Sequence, residues 1–130
     1  MILAFDYGTQ KIGVASGNML LGTATPLKAL PCKNTQPNWD DIAALLKEWE
    51  PEALVVGLPL NMDGSDSEST ARARKFANRL HGRFGKKVWL VDERLSTREA
   101  RERTGIQKAD SRVDSMAAVI IAEGFFAGDA

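Results

Sequence analysis

Two short, almost wholly apolar runs, ALVVGLP at 53–59 and KVWLVDE at 87–93, bracket a stretch from about Ser67 to Phe84 whose apolar residues recur at helical spacing. Runs of this length and composition suit strands buried on both faces, which is the condition of a parallel sheet. Strand, helix, strand in that order implies a right-handed crossover. Ahead of it, MILAFDYG, KIGVASGN and LLGTATPLKAL are apolar or alternating and are separated by short Gly- and Asn-containing turns, the pattern of a three-strand antiparallel meander. Between the meander and the crossover, after a loop from Pro31 to Pro37, Asn38 or Asp40 caps a helix carrying Ile42, Leu45, Leu46 and Trp49, and Pro51 ends it. A last helix is expected from about Ser111 to Phe126, with Val113, Met116, Ala117, Ile120, Ile121 and Gly124 forming one stripe. The sum is an α/β fold with a mixed five-stranded sheet and flanking helices.

With 130 residues, no internal repeat, no low-complexity tract and no dividing linker, the chain 1–130 reads as a single domain with one core. No apolar run approaches the roughly eighteen residues that cross a membrane. The first residues lack a basic n-region and carry Asp6 within their apolar stretch, so they read as a core strand and not as a signal peptide. A cytoplasmic location is expected. The single cysteine, Cys32, rules out an internal disulfide and a multi-thiolate zinc site, and it reads as structural filler in the Pro31–Pro37 loop.

Net charge is zero, yet its distribution is uneven. Residues 1–70 hold 4 basic and 9 acidic side chains, residues 71–112 hold 13 and 5, and residues 113–130 hold 0 and 3. A basic segment set beside acidic ones suits a polyanion bound next to carboxylates that hold cations. A solvated helix surface explains the charge count equally well. In the helix at 69–84, Lys75, Arg79 and Arg83 fall within about 60° of Arg72, beside an apolar face of Ala73, Phe76, Ala77, Leu80 and Phe84. That basic stripe is a candidate track for a phosphate backbone.

Asp6 closes the first strand ahead of Gly8 and a second strand. This hairpin resembles both the phosphate-binding hairpin of the actin, Hsp70 and sugar-kinase ATPases and the first strand of an RNase H-like nuclease. The ATPases clamp a nucleotide between two such domains, and this chain is long enough for one. The element order is that of the RNase H-like fold. Together, "DYGTQKIGVA", "VVGLPLNMDGS", "VDERLSTREA" and "VDSMAAVIIAEGFF" resemble the YqgF family, first described as Holliday junction resolvases and now regarded as nucleases that mature the 5′ end of pre-16S ribosomal RNA. The four blocks span nearly the whole chain in order.

The resemblance implies a metal-dependent phosphodiesterase whose carboxylates match Asp6, Glu93 and Asp114, with Mg²⁺ or Mn²⁺ as the hard, oxygen-ligated cofactor. Local pattern does not decide between Asp92 and Glu93, and only the family pattern selects Glu93. Asp110 lies about 40° from Asp114 on a helical wheel and is either a helper or a cap. Asn61, in the loop after the ALVV strand, is expected near the carboxylates, and the resemblance brings Arg94 and Thr97 near them too. Ser96 and Glu99 form a capping box. His81 is the only histidine, sits mid-helix among basic residues, and supports no catalytic triad.

The expected activity is endonucleolytic cleavage of structured nucleic acid, with pre-rRNA within ribosome precursors as substrate. Branched DNA at a four-way junction is the alternative substrate, and a non-catalytic ribosome-assembly factor is the alternative class. With the apolar helix faces assigned to the core, a monomer or weak dimer is expected.

Overall fold

The computed structural model describes residues 1–92 and 114–128. In chain order it comprises β1 (Ile2–Asp6), β2 (Lys11–Asn18), β3 (Thr23–Lys33), β4 (Gln36–Pro37), α1 (Trp39–Trp49), β5 (Ala53–Leu58), α2 (Glu68–Phe84), β6 (Val88–Asp92) and α3 (Met116–Phe126). The sheet order is β4-β3-β2-β1-β5-β6. β1 to β4 pair antiparallel, and β1, β5 and β6 run parallel.

Alternation along β1 divides the molecule into two layers. Leu3 and Phe5 point to one face, where they pack with Ile42 and Leu46 of α1 and with Ala73, Phe76 and Leu80 of α2. Ile2 and Ala4 point to the other, against Ile121 and Ala122 of α3. Strand periodicity therefore assigns Asp6 to the α3 face, while Tyr7 packs on the α1/α2 side, its ring 5.1 Å from that of Phe76.

Helix ends follow the capping chemistry legible in the sequence. The Asn38 side chain accepts from the amides of Asp40 (3.0 Å) and Asp41 (3.3 Å), and α1 closes at Glu50 in a left-handed conformation (φ 46°) just before Pro51. Ser67 and Thr70 form a reciprocal cap at the start of α2. Their hydroxyls also donate to the Pro59 carbonyl at 3.1 and 2.7 Å, which ties the helix to the loop leaving β5.

Three expectations are corrected. A two-residue strand, β4, extends the expected five-stranded sheet to six. Cys32 lies inside β3 and not in a loop, with its thiol 3.5 Å from the Gly8 carbonyl, because β3 continues past Leu30 to reach β4. The last helix carries no single apolar stripe: Ala117 to Ala122 are six consecutive buried residues, and the helix packs over β1, β2, β3 and β5. Asp114 and Ser115 form a 3₁₀ turn before α3, and the expected start near Ser111 and Val113 lies outside the described residues. Exposed apolar side chains do occur, at Leu20 and Leu21 in the β2–β3 turn, at the end of the sheet away from Asp6.

Gly13 fixes how closely the α3 layer approaches. It pairs with Asp6 across β1 and β2, and a Cβ there would collide with the Asp114 carbonyl oxygen and lie 3.2 Å from Ser115 Cα. Both obstacles are backbone. At Gly17 a Cβ would instead meet side-chain atoms of Phe126 and Ile2 at 2.8 and 2.9 Å. Gly13→Ala should therefore cost about 1–3 kcal/mol of stability, as overpacking against an unyielding neighbour does, and Gly17→Ala less. Urea unfolding of the two variants beside wild type checks the ranking, and equal stability losses would show that the Asp114 turn moves freely.

Candidate active site at the carboxyl edge of the sheet

The close approach at Gly13 builds the site. Residues directly opposite in an antiparallel pair share a face, so the Asp6 carboxylate and the Asp114 backbone lie on the same side of the sheet, on either side of a residue with no side chain. Near the register shift between β2 and β3, the Val14 amide donates to Ser115 Oγ at 3.0 Å and pins the turn that carries Asp114. Lys11, the first residue of β2, places its Nζ 3.0 Å from Asp114 Oδ2.

The two acids are held differently. Asp6 is half-buried, and loss of solvent pushes its pKa from 3.8 up to about 6. Among the described residues its carboxylate has no hydrogen-bond or ion-pair partner. Asp114 is more open and carries the Lys11 ammonium as its counter-charge. Hard carboxylate oxygens, one of them unpaired and poorly solvated, suit a divalent cation such as Mg²⁺ or Mn²⁺. Among the described residues no three His, Cys, Asp or Glu side chains converge. Glu93, the third expected ligand, lies outside those residues, as do Arg94, Ser96, Thr97, Glu99 and Asp110.

Strand register separates Asp92 from this pair. Asp92 stands opposite Leu58, which packs with α2, so its position belongs to the α1/α2 face. Val91, one residue earlier, packs on the α3 side with Ile2, Ala4 and Ile121.

The remaining expected residues are placed as follows. Asn61 organises its own loop, donating from Nδ2 to Ser65 Oγ (3.0 Å) and from its amide to the Ser65 carbonyl (2.9 Å). The basic stripe lies on the α1/α2 face, across the sheet from Asp6. There Arg72 pairs with Glu68 at 2.7 Å, Arg79 donates to Gln36 Oε1 at 2.8 Å, and the Arg83 guanidinium sits 4.3 Å over Trp39. Arg72, Lys75 and Arg79 line a cleft with Tyr7. Burial raises the Tyr7 phenol, with Cys32 adding to the effect and Arg72 and Arg79 opposing it; burial likewise raises the Cys32 thiol. Among the described residues His81 bonds its local Lys86 carbonyl, at 2.9 Å.

Sequence reasoning did not single out Lys11, Gly13, Ser115 or Tyr7. A glycine inside an alternating strand signals close backbone approach, and that signal was available at Gly13. Lys11 and Ser115 carried none, because each meets its partner about a hundred residues away.

Residues 1–128 match the family model described as "RuvX: Holliday junction resolvase". The chain is 97% identical over 130 residues to an Alcanivorax borkumensis protein named "Putative pre-16S rRNA nuclease", covering 100% of this chain and 98% of that one. An Escherichia coli protein of the same name is 55% identical over 130 residues, covering 96% and 94%. Among solved structures, Thermus thermophilus RuvC in complex with a Holliday junction substrate superposes with a TM-score of 0.54 at 14% identity, covering 98% of this chain and 93% of that one. The fowlpox virus resolvase in complex with its junction DNA gives 0.54 at 13%, covering 98% and 97%. At such identities these structures establish the fold, which is RNase H-like.

The raised Asp6 pKa has a definite sign in stability. Its folded value exceeds its unfolded one, so the contribution is fully present below about pH 4 and is lost as pH rises through about 6. In EDTA, Asp6→Asn should be more stable than wild type at pH 7.5, by about 1–3 kcal/mol, with the advantage gone at pH 4. Mg²⁺ or Mn²⁺ should stabilise wild type and leave Asp6→Asn unchanged. Urea midpoints at the two pH values, with and without metal, test this; a variant less stable than wild type at pH 7.5 in EDTA would contradict it.

Proposed function

The chain belongs to the RuvX Holliday junction resolvase family, and from that membership and the carboxylate geometry we propose that it is a metal-dependent endonuclease whose substrate is the 5′ region of pre-16S ribosomal RNA. The observation that carries the reading is the pairing of Asp6 with Gly13 beneath the Asp114 backbone, which puts two acids from distant parts of the chain on one face at the carboxyl edge of the sheet. The substrate follows from relatives named as pre-16S rRNA nucleases, one of them 97% identical over the full chain.

Asp6, Asp114 and Glu93 are the residues that would hold Mg²⁺ or Mn²⁺. Such an ion, when bound, supplies an activated water and neutralises charge on the phosphate. The chain's own part is to aim the carboxylates. Gly13 lets the Asp114 turn descend to the sheet, Ser115 fixes that turn through Val14, and Lys11 holds the Asp114 carboxylate in place and adds positive charge where a phosphate arrives. Arg72, Lys75 and Arg79 bind the backbone from the opposite face, so the nucleic acid passes over the ends of β1 and β5. No described helix is long and apolar enough to cross a membrane.

The family description and the two superposed structures favour a second reading, resolution of four-way DNA junctions. Symmetric cutting of a junction needs a two-fold dimer. The expected state is a monomer or weak dimer, and sedimentation showing a tight dimer at micromolar concentration would move the assignment to the junction. A third reading, an assembly factor without catalysis, gives no purpose to an Asp6 carboxylate that is half-buried and has no hydrogen-bond or ion-pair partner among the described residues.

The deciding assay offers precursor rRNA, single-stranded RNA and a four-way DNA junction with Mg²⁺ or Mn²⁺. Precursor rRNA should be cleaved fastest. Asp6→Asn, Glu93→Gln and Asp114→Asn should each lose more than the roughly 10–100-fold that removal of an outer-shell partner costs, with RNA affinity nearly unchanged. Wild-type turnover in any one of them would remove that residue from the catalytic set.

A further inference from the structure

On the α1/α2 face a cleft of ≈ 150 Å³ opens between the β3–β4 turn and α2. Tyr7, Thr35 and Gln36 form one wall, Arg72, Lys75 and Arg79 the other, and no carboxylate among the described residues lines it. Its shape is set before any ligand arrives. The Tyr7 hydroxyl donates to the Thr35 carbonyl at 2.5 Å, and Arg79 Nη1 donates to Gln36 Oε1 at 2.8 Å, so the turn is tied both to the end of β1 and to α2. Asn34 and Thr35 take left-handed conformations (φ 52° and 64°), costly for residues other than glycine and held here by those ties. The floor is Phe76, wedged between the rings of Tyr7 at 5.1 Å and Trp39 at 5.9 Å, so it cannot swing in to fill the space.

The cations that face the cleft are weakly neutralised. Lys75 pairs with no carboxylate among the described residues. Glu68, the partner of Arg72, is 81% exposed, and an ion pair of that kind is worth little against a competing phosphate. Arg79 is aimed by a neutral amide and not by a carboxylate. Tyr7 directly follows Asp6 in the chain, so the cleft and the carboxylates stand on opposite faces of one sheet edge.

We propose that this cleft is a phosphate subsite for the strand being cut, in which Lys75, Arg79 and Arg72 hold one backbone phosphate away from the scissile bond. Its identity as a nucleic-acid phosphate rests on the nuclease reading; its affinity for phosphate does not. Contacts of this kind fix a strand's path without reading its sequence. The strand then enters over the β3–β4 turn on the α2 side and crosses the ends of β1 and β5 to reach Asp6.

Two measurements test the subsite in EDTA, where cleavage is silent. In the first, ¹⁵N-labelled wild type is titrated with inorganic phosphate and then with a short single-stranded RNA. Amide shifts at Thr35, Gln36 and Lys75, absent with chloride at equal ionic strength and saturated by RNA at lower concentration, are the expected result. In the second, Lys75→Gln with Arg79→Gln should weaken binding to RNAs of unrelated sequence by about 10-fold and reduce the slope of log K against log salt by about 0.7–0.9 for each phosphate charge that is no longer neutralised. Lys47→Gln with Lys86→Gln, removing equal charge elsewhere, should leave the slope unchanged. No shift with either probe, or equal effects of the two double variants, overturns the subsite. Shifts with phosphate that RNA does not reproduce overturn its assignment to the strand. Shifts with both probes in a protein that cuts nothing with Mg²⁺ or Mn²⁺ uphold the subsite and defeat the nuclease reading alone.

Discussion

Everything in this protein is arranged around β1, a strand whose first four residues are fully buried and which is hydrogen-bonded on both sides, antiparallel to β2 and parallel to β5. A strand so enclosed has no freedom of register, because a slip by one residue would turn Leu3 and Phe5 towards α3 and Ile2 and Ala4 towards α1 and α2. Its strict alternation decides where chemistry can occur. Asp6 is the first position at which the strand can carry a charge, since there the sheet ends and solvent, or a cation, comes within reach.

The cost of that placement is visible in the charge state of the carboxylate. A half-buried acid with no hydrogen-bond or ion-pair partner among the described residues favours its proton, and a pKa of about 6 leaves it largely ionised at neutral pH yet still poorly solvated. Asp114 is treated oppositely, with Lys11 supplying the balancing charge. The candidate site therefore pairs one acid whose pKa is raised by burial with one held by a cation, and the contact at Gly13 brings the Asp114 backbone to the face of Asp6.

Among the described residues, the basic stripe of α2 and the Asp6–Asp114 pair lie on opposite faces of the sheet. The positive segment of the sequence is concentrated partly in α2, whose apolar face covers Leu3 and Phe5, and this fixes its basic face on the side away from Asp6. Such an arrangement keeps the α2 cations apart from the Asp6 carboxylate, and on the proposed function it makes the end of β1, where Asp6 and Tyr7 diverge to opposite faces, the place where a strand would cross from the basic cleft to the carboxylates.

Most of the architecture was written in local signals. Alternation gave the meander, the short apolar runs gave β5 and β6, and Asn38, Ser67 and Pro51 marked helix ends because capping chemistry acts within three or four residues. Asp6 and Asp114 were legible through the motif resemblance, and α2's basic face through helical spacing. What tertiary structure alone decided depends on residues far apart in the chain. The burial of six consecutive residues of α3 depends on surroundings its own pattern does not contain, β4 needed β3 to outrun its own apolar pattern, and the Lys11–Asp114 and Val14–Ser115 contacts join segments about a hundred residues apart. The ambiguity between neighbouring acids at the end of β6 was likewise resolved for Asp92 by its pairing with Leu58. A sequence states which side chains a segment offers and how they repeat, but which face of the sheet each one meets is a property of register and packing, and those are set by partners that local pattern does not contain.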